Sequence, residues 1–136
     1  MIPLKRTATL AGIILLVGLA SLWASPIKGN KPETEIGKIM KQGFGGYPPT
    51  RFRPLQKVLD GKASAEDKEK LVKLCEELTK TKPPRGDEKG WKDLTTLILE
   101  DAKAVAAGKG DQKEILKKLD THTNCDACHK AYAPEK

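Results

Sequence analysis

Asp111-Gln-Lys-Glu-Ile-Leu-Lys-Lys-Leu-Asp-Thr-His-Thr-Asn-Cys-Asp-Ala-Cys-His129 decides how this chain is read. Asp111 with Glu114 three residues on is a variant of the capping box that opens helices. On an ideal helix, Ile115, Leu119, His122, Cys125 and His129 then share an arc of about 120°. One continuous helix is therefore expected from Asp111 through the cysteine pair. Its apolar stripe gives way to a stripe of metal-capable side chains.

Three further helical stretches precede it, and no stretch shows the alternating β-branched pattern of a strand. Ile36, Ile39 and Met40 fall within about 100° of arc, which predicts a first helix from Pro32 to about Phe44. Gly43-Phe-Gly-Gly-Tyr-Pro-Pro49 breaks it, and a short helical piece from Thr50 to Leu59 carries Leu55, Val58 and Leu59. Ser64-Ala-Glu-Asp67 reads as an N-cap with acids in the first turn, where they suit the helix dipole. The second helix follows it to about Thr81, with Leu71, Leu74, Cys75 and Leu78 on one face. The third spans Asp87 to Ala107, with Trp91, Leu94, Ile98, Ala102 and Val105 inside about 80°. Four amphipathic helices with short links imply an all-α fold. The expected form is an antiparallel four-helix bundle with the cysteine motif at its C-terminal end.

The N-terminus reads as an address. Lys5 and Arg6 head an apolar run from Leu10, which ends in Ser21-Leu-Trp-Ala24. A basic head, a short apolar middle and a small final residue make a signal peptide, residues 1–24, preceding a domain over 25–136. Leu10 to Ala24 is 15 residues, shorter than the roughly 20 of a membrane-spanning helix. The expected location is the periplasm, with no stable membrane insertion after cleavage. Leu22 is not the small residue that cleavage prefers, so an uncleaved N-terminal anchor is the alternative. Of the 112 residues after Ala24, 20 are Leu, Ile, Val or Phe. That is just under the fifth or so below which a charged chain stays disordered. A domain this lean needs something to complete its core. The same stretch carries 23 basic and 18 acidic residues. The charges interleave, as in Glu66-Asp-Lys-Glu-Lys70, which reads as a solvated helix face rather than a nucleic-acid surface. An acidic protein partner or a membrane surface suits the surplus better.

Cys125-Asp-Ala-Cys128-His129 is the one motif that carries chemistry, and Cys-x-x-Cys-His reads as covalent attachment of a c-type haem. Two thiols must add to vinyl groups of one porphyrin. Residues three apart on a helix lie on azimuths about 60° apart. The next residue then offers an imidazole to the iron from one side of the ring. Three rival readings stand beside it. A thioredoxin-type dithiol wants the motif at a helix N-terminus after a strand, whereas the expected helix places it late and without a strand. Structural zinc on His122, Cys125, Cys128 and His129 would need one continuous helix to surround a tetrahedral ion. Chance occurrence is the third. Haem also answers the composition, since a porphyrin supplies apolar surface to an aromatic-poor chain.

Export, helix content and a Cys-x-x-Cys-His near the chain's end together resemble the cytochrome c′ family, the final stretch Cys125-Asp-Ala-Cys-His-Lys-Ala-Tyr132 most of all. The resemblance covers roughly residues 33–133. The Gly-Pro-rich break at 43–49 departs from an unbroken first helix. The resemblance implies one haem c held by Cys125 and Cys128, with His129 as proximal iron ligand. It also implies a first-helix residue facing the iron from the opposite side. Met40, on the inward face with Ile36 and Ile39, stands at that place and resembles the methionine-ligated, low-spin branch; the plain alternative is a core filler. His129 and Met40 are thus the expected iron ligands, and a His/Met pair suits electron transfer. His122, two helical turns before His129, reads as a residue at the pocket edge. The expected function is one-electron transfer to redox partner proteins, with a homodimer left open by the resemblance. The alternative is a five-coordinate haem protein that binds nitric oxide or carbon monoxide. No nucleophile–base pair or carboxylate pair suggests an enzyme.

Overall fold

Ser64 begins the helix whose local logic is plainest. Its hydroxyl accepts from Asp67 N at 3.1 Å, and the Asp67 carboxylate accepts from Ser64 N at 3.1 Å, a reciprocal capping box. The Lys57 ammonium, 2.7 Å away, and the Ser64 amide hold the Asp67 carboxyl below the usual carboxylate range. The computed structural model describes residues 33–45 and 53–134. The expected signal peptide, residues 46–49 of the Gly-Pro-rich break and residues 50–52 of the short helical piece lie outside them. The described residues belong to one unit, Pro32–Lys136.

These residues are all-α, with no strand among them. The elements are α1 (Glu35–Ile39), a π-helical turn (Met40–Phe44), α2 (Pro54–Leu59), α3 (Ala65–Leu78), α4 (Glu88–Ala107), α5 (Gln112–His122) and α6 (Cys125–Tyr132). Helix α3 packs on α4 and α2, and α4 packs on α5. No described helix is long and apolar enough to cross a membrane.

Two cores result. The larger joins Leu55 and Val58 of α2, Leu71 and Cys75 of α3, Ile98, Ala102 and Val105 of α4, and Leu119 of α5. The smaller joins Ile39, Leu74, Leu78 and Trp91, with Met40, Phe44, Cys128 and Tyr132 half-buried against it. The expected stripe of α4 is buried at Trp91, Ile98, Ala102 and Val105, while Leu94 is half-buried.

Two local features depart from the sequence reading. The first helix is α-helical only to Ile39. Gly45 N donates to Met40 O at 2.8 Å, the i to i+5 bond of a π turn. Gly43, its fourth residue, is buried against α3, and a Cβ there would stand 2.6 Å from Leu74 Cδ1. The continuous fourth helix is also corrected. Thr123 N and Thr123 Oγ1 both donate to Leu119 O, at 2.9 and 2.7 Å, and close α5. Asn124 is extended (ψ 106°), and its side-chain oxygen accepts from Ala127 N at 2.9 Å. Asn124 is thus the N-cap of a new helix. Periodicity is blind to such a break, because residue spacing on a helical wheel takes no account of where one helix ends and the next begins.

Candidate functional site

The broken helix puts Cys125 at the first position of α6 and Cys128 one turn later. Cys125 is exposed and Cys128 half-buried, and all three cysteines of the chain are free thiols. Burial, and next the neighbouring Cys125, push the Cys128 thiol above its ordinary value. His129 is exposed, and no residue of α6 is fully buried.

Met40 reaches this motif from the other end of the chain. Met40, Cys125, Cys128 and His129 line one cavity, closed by Phe44, Leu78, Trp91, Leu94, Thr95 and Ile98. Its walls are almost wholly apolar and its volume is about 40 Å³. A second apolar cavity of about 280 Å³ lies alongside, walled by Ile36, Pro84, Tyr132 and Pro134. Met40, Trp91, Cys128 and His129 line both. All four residues singled out in the sequence thus come together, although 85 positions separate Met40 from Cys125.

The remaining walls explain how the motif is held. Trp91 Nε1 donates to Thr81 O at 3.1 Å, which fixes the indole. Tyr132 meets that indole edge-to-face, ring centroids 5.2 Å apart and planes at 68°. A Cβ on Gly90 would lie 2.8 Å from the Tyr132 hydroxyl, so the missing side chain there makes room for the tyrosine. Gly86 has φ +85°, and a Cβ on it would come within 2.7 Å of Ala131 O. Arg85 Nη2 donates to Lys130 O at 2.5 Å.

His122 lines the first cavity, as the pocket-edge reading expects. Sequence reasoning missed its partner. Asp101 Oδ2 lies 2.6 Å from His122 Nδ1, and the two side chains keep 14% and 26% of their exposure. The carboxylate that secures this ring sits on α4, 21 residues away, where spacing gives no signal. Cys75 is fully buried and its thiol is pushed up to about 12, first by burial.

Comparison with family models, curated proteins and solved structures finds no match for this chain. The site is therefore read on its own chemistry. Among the described residues, no three His, Cys, Asp or Glu side chains cluster as a metal cage. A haem is different, because the porphyrin supplies four donors and the chain only the axial ones. Two thiols three residues apart, an adjacent imidazole, a thioether across the cavity and apolar walls are the donor chemistry that a haem c requires. By donor set and wall character the residues fit the group.

Proposed function

We propose that this chain is an exported monohaem c-type cytochrome that transfers single electrons. We propose further that its helices form an antiparallel four-helix bundle of the kind the cytochrome c′ family builds, in the methionine-ligated branch. One observation carries the reading: Met40, Cys125, Cys128 and His129 line a single apolar cavity.

The bound haem supplies an iron that cycles between ferrous and ferric states. The chain does the rest. Cys125 and Cys128 tether the ring through thioether links, and the tether holds it where α6 itself buries little. His129 on α6 would offer its imidazole to the iron and Met40 on the π turn its sulfur, a pair of donors that would suit electron transfer. Trp91, Leu78 and Ile98 exclude water from the cavity, which keeps reorganisation on electron transfer small. The surplus of basic residues steers an acidic redox partner in the periplasm. No substrate turnover is proposed.

The test is the visible spectrum of the exported protein, oxidised and then reduced with dithionite. Sharp, split low-spin bands on reduction are expected. Met40→Ala should turn them into broad high-spin bands and let carbon monoxide bind quickly. High-spin bands in the unmodified protein would make Met40 a core residue and gas binding the function. The helix break favours one second reading, a thiol–disulfide carrier. It sets Cys125, exposed, at a helix N-terminus, with Cys128 half-buried a turn behind. A colourless protein whose two thiols cycle reversibly to a disulfide, even when made with haem-attachment machinery, would establish that reading instead.

A further inference from the structure

We propose that the basic cleft over the outer edge of Trp91 is the docking site for an acidic redox protein, with the indole bridging that cleft and the cavity of the cysteine motif. The inference rests on the electron-carrier reading for what passes between the two proteins, and on the side chains alone for where the partner sits.

Trp91 directs attention there. It is buried, yet it lines both cavities beside Cys128 and His129 and also a surface cleft between the turn after α3 and the first turn of α4. That cleft is walled by Lys80, Thr81, Lys82, Pro83, Glu88 and Lys92. The indole Nε1 donates to Thr81 O at 3.1 Å, so one hydrogen bond joins the cavity wall to the cleft wall. The turn is itself tied down, because Thr81 N and Thr81 Oγ1 both donate to Leu78 O, at 3.1 and 2.8 Å. A partner seated on this turn is separated from the cavity by one fixed aromatic ring.

Charge selects the partner. Lys80, Lys82 and Lys92 line the cleft against a single carboxylate, Glu88. Lys82 stands 3.5 Å from Glu88. Lys80 and Lys92 are exposed, and neither joins an ion pair among the described residues. Elsewhere on the helix surfaces lysines are neutralised by neighbours, as Lys73 is by Glu69 and Lys118 by Glu114. The cleft beside Cys125 has the opposite sign, with Asp120 and Asp126 and no basic side chain among its described walls. An acidic surface is therefore drawn to the Trp91 side and repelled from the Cys125 side. In the docked pair one electron leaves ferrous iron and reduces the partner's oxidised metal centre. Trp91 couples the two and keeps its own electrons and its proton.

Titrating the exported protein at low salt with plastocyanin, an acidic blue-copper protein, tests this through two readouts. The first is the amide shifts of the unmodified chain. They should centre on Thr79–Lys82 and Glu88–Lys92 and fade as salt is added. The second is the rate at which cupric plastocyanin oxidises the dithionite-reduced protein. Lys80→Glu with Lys92→Glu should slow the bimolecular rate about tenfold. Lys113→Glu with Lys117→Glu, at exposed positions of α5, makes the same change of net charge and should slow it far less. Trp91→Phe keeps an apolar ring but loses the bond to Thr81. It should leave the affinity for plastocyanin and the reduction potential alone and lower the transfer rate at saturation several-fold. Shifts centred elsewhere, or no shifts, would overturn the docking site. Equal slowing by the two lysine pairs would do the same, since overall charge alone would then steer. A saturated rate that Trp91→Phe leaves untouched would overturn the bridge. A protein without haem that still shows the shifts would sink the electron-carrier reading and leave the docking site standing.

Discussion

Around Cys75 the interior is closed by side chains from four helices, whereas around Cys128 three sides are built and the fourth is a short helix with nothing fully buried. The difference lies in what each end asks of its residues. At the Cys75 end, Leu71, Leu119 and Cys75 lose all or nearly all contact with water, and the packing is complete without help. At the Cys128 end the same helices α3 and α4 continue, but Leu78 and Trp91 face a void beside a half-buried thiol and an exposed imidazole. The larger core closes on itself, while the smaller core of Ile39, Leu74, Leu78 and Trp91 borders the apolar cavity.

The largest break in this contrast should come from Leu119→Ala. It hollows the closed end and should cost about 2–5 kcal/mol of unfolding free energy in a denaturant titration. The visible spectrum of the fraction that stays folded should not change. Alkaline pH probes the same end. Burial raises the folded-state pKa of Cys75 from 9.0 to about 12, so the folded chain keeps a proton that the unfolded chain releases. Stability is therefore intact below about pH 9 and falls as pH rises toward 12, by about 1.4 kcal/mol per unit in between. Cys75→Ala should remove that part of the slope, seen as a difference between the two proteins' melting curves against pH. At the break between α5 and α6, Asn124→Ala removes the α6 cap and should cost about 1 kcal/mol. That loss should fall on α6, and segmental hydrogen exchange would detect it there while α3 stays protected. Smallest in stability is Met40→Ala in the haem-free chain. The side chain is only half-buried beside a void, so about 1 kcal/mol or less is expected. In the haem-loaded protein the same change should lower the melting temperature clearly, because a bond to iron would then be lost. Equal effects with and without haem would show that Met40 serves both ends alike.

Much of the closed end was legible in the sequence, because its elements obey local rules. Ser64 and Asp67 spell a capping box, and the α4 stripe from Trp91 to Val105 keeps one azimuth throughout. Four residues that line the first cavity were picked out in the sequence too, Cys125, Cys128 and His129 through the motif and Met40 as the one methionine after residue 24. Two things were not. The break at Thr123–Asn124 hides behind a stripe whose spacing survives it, although an Asn after two threonines is an N-cap signal. The partnership of Asp101 with His122 joins different helices, and no single-helix pattern reports a tertiary hydrogen bond.

The π turn at Met40–Phe44 carries a further consequence. It accommodates one residue more than an α-helix would use over the same rise. Gly43, locked against Leu74, anchors its downstream side. Deleting one codon between Met40 and Gly43 would regularise the turn and rotate the sulfur by about 100° about the helix axis. The thioether would leave the cavity while its other walls stayed the same. Whether a thioether lines the cavity beside the Cys-x-x-Cys-His motif is thus a matter of chain length by one, a single indel rather than a change of residue type.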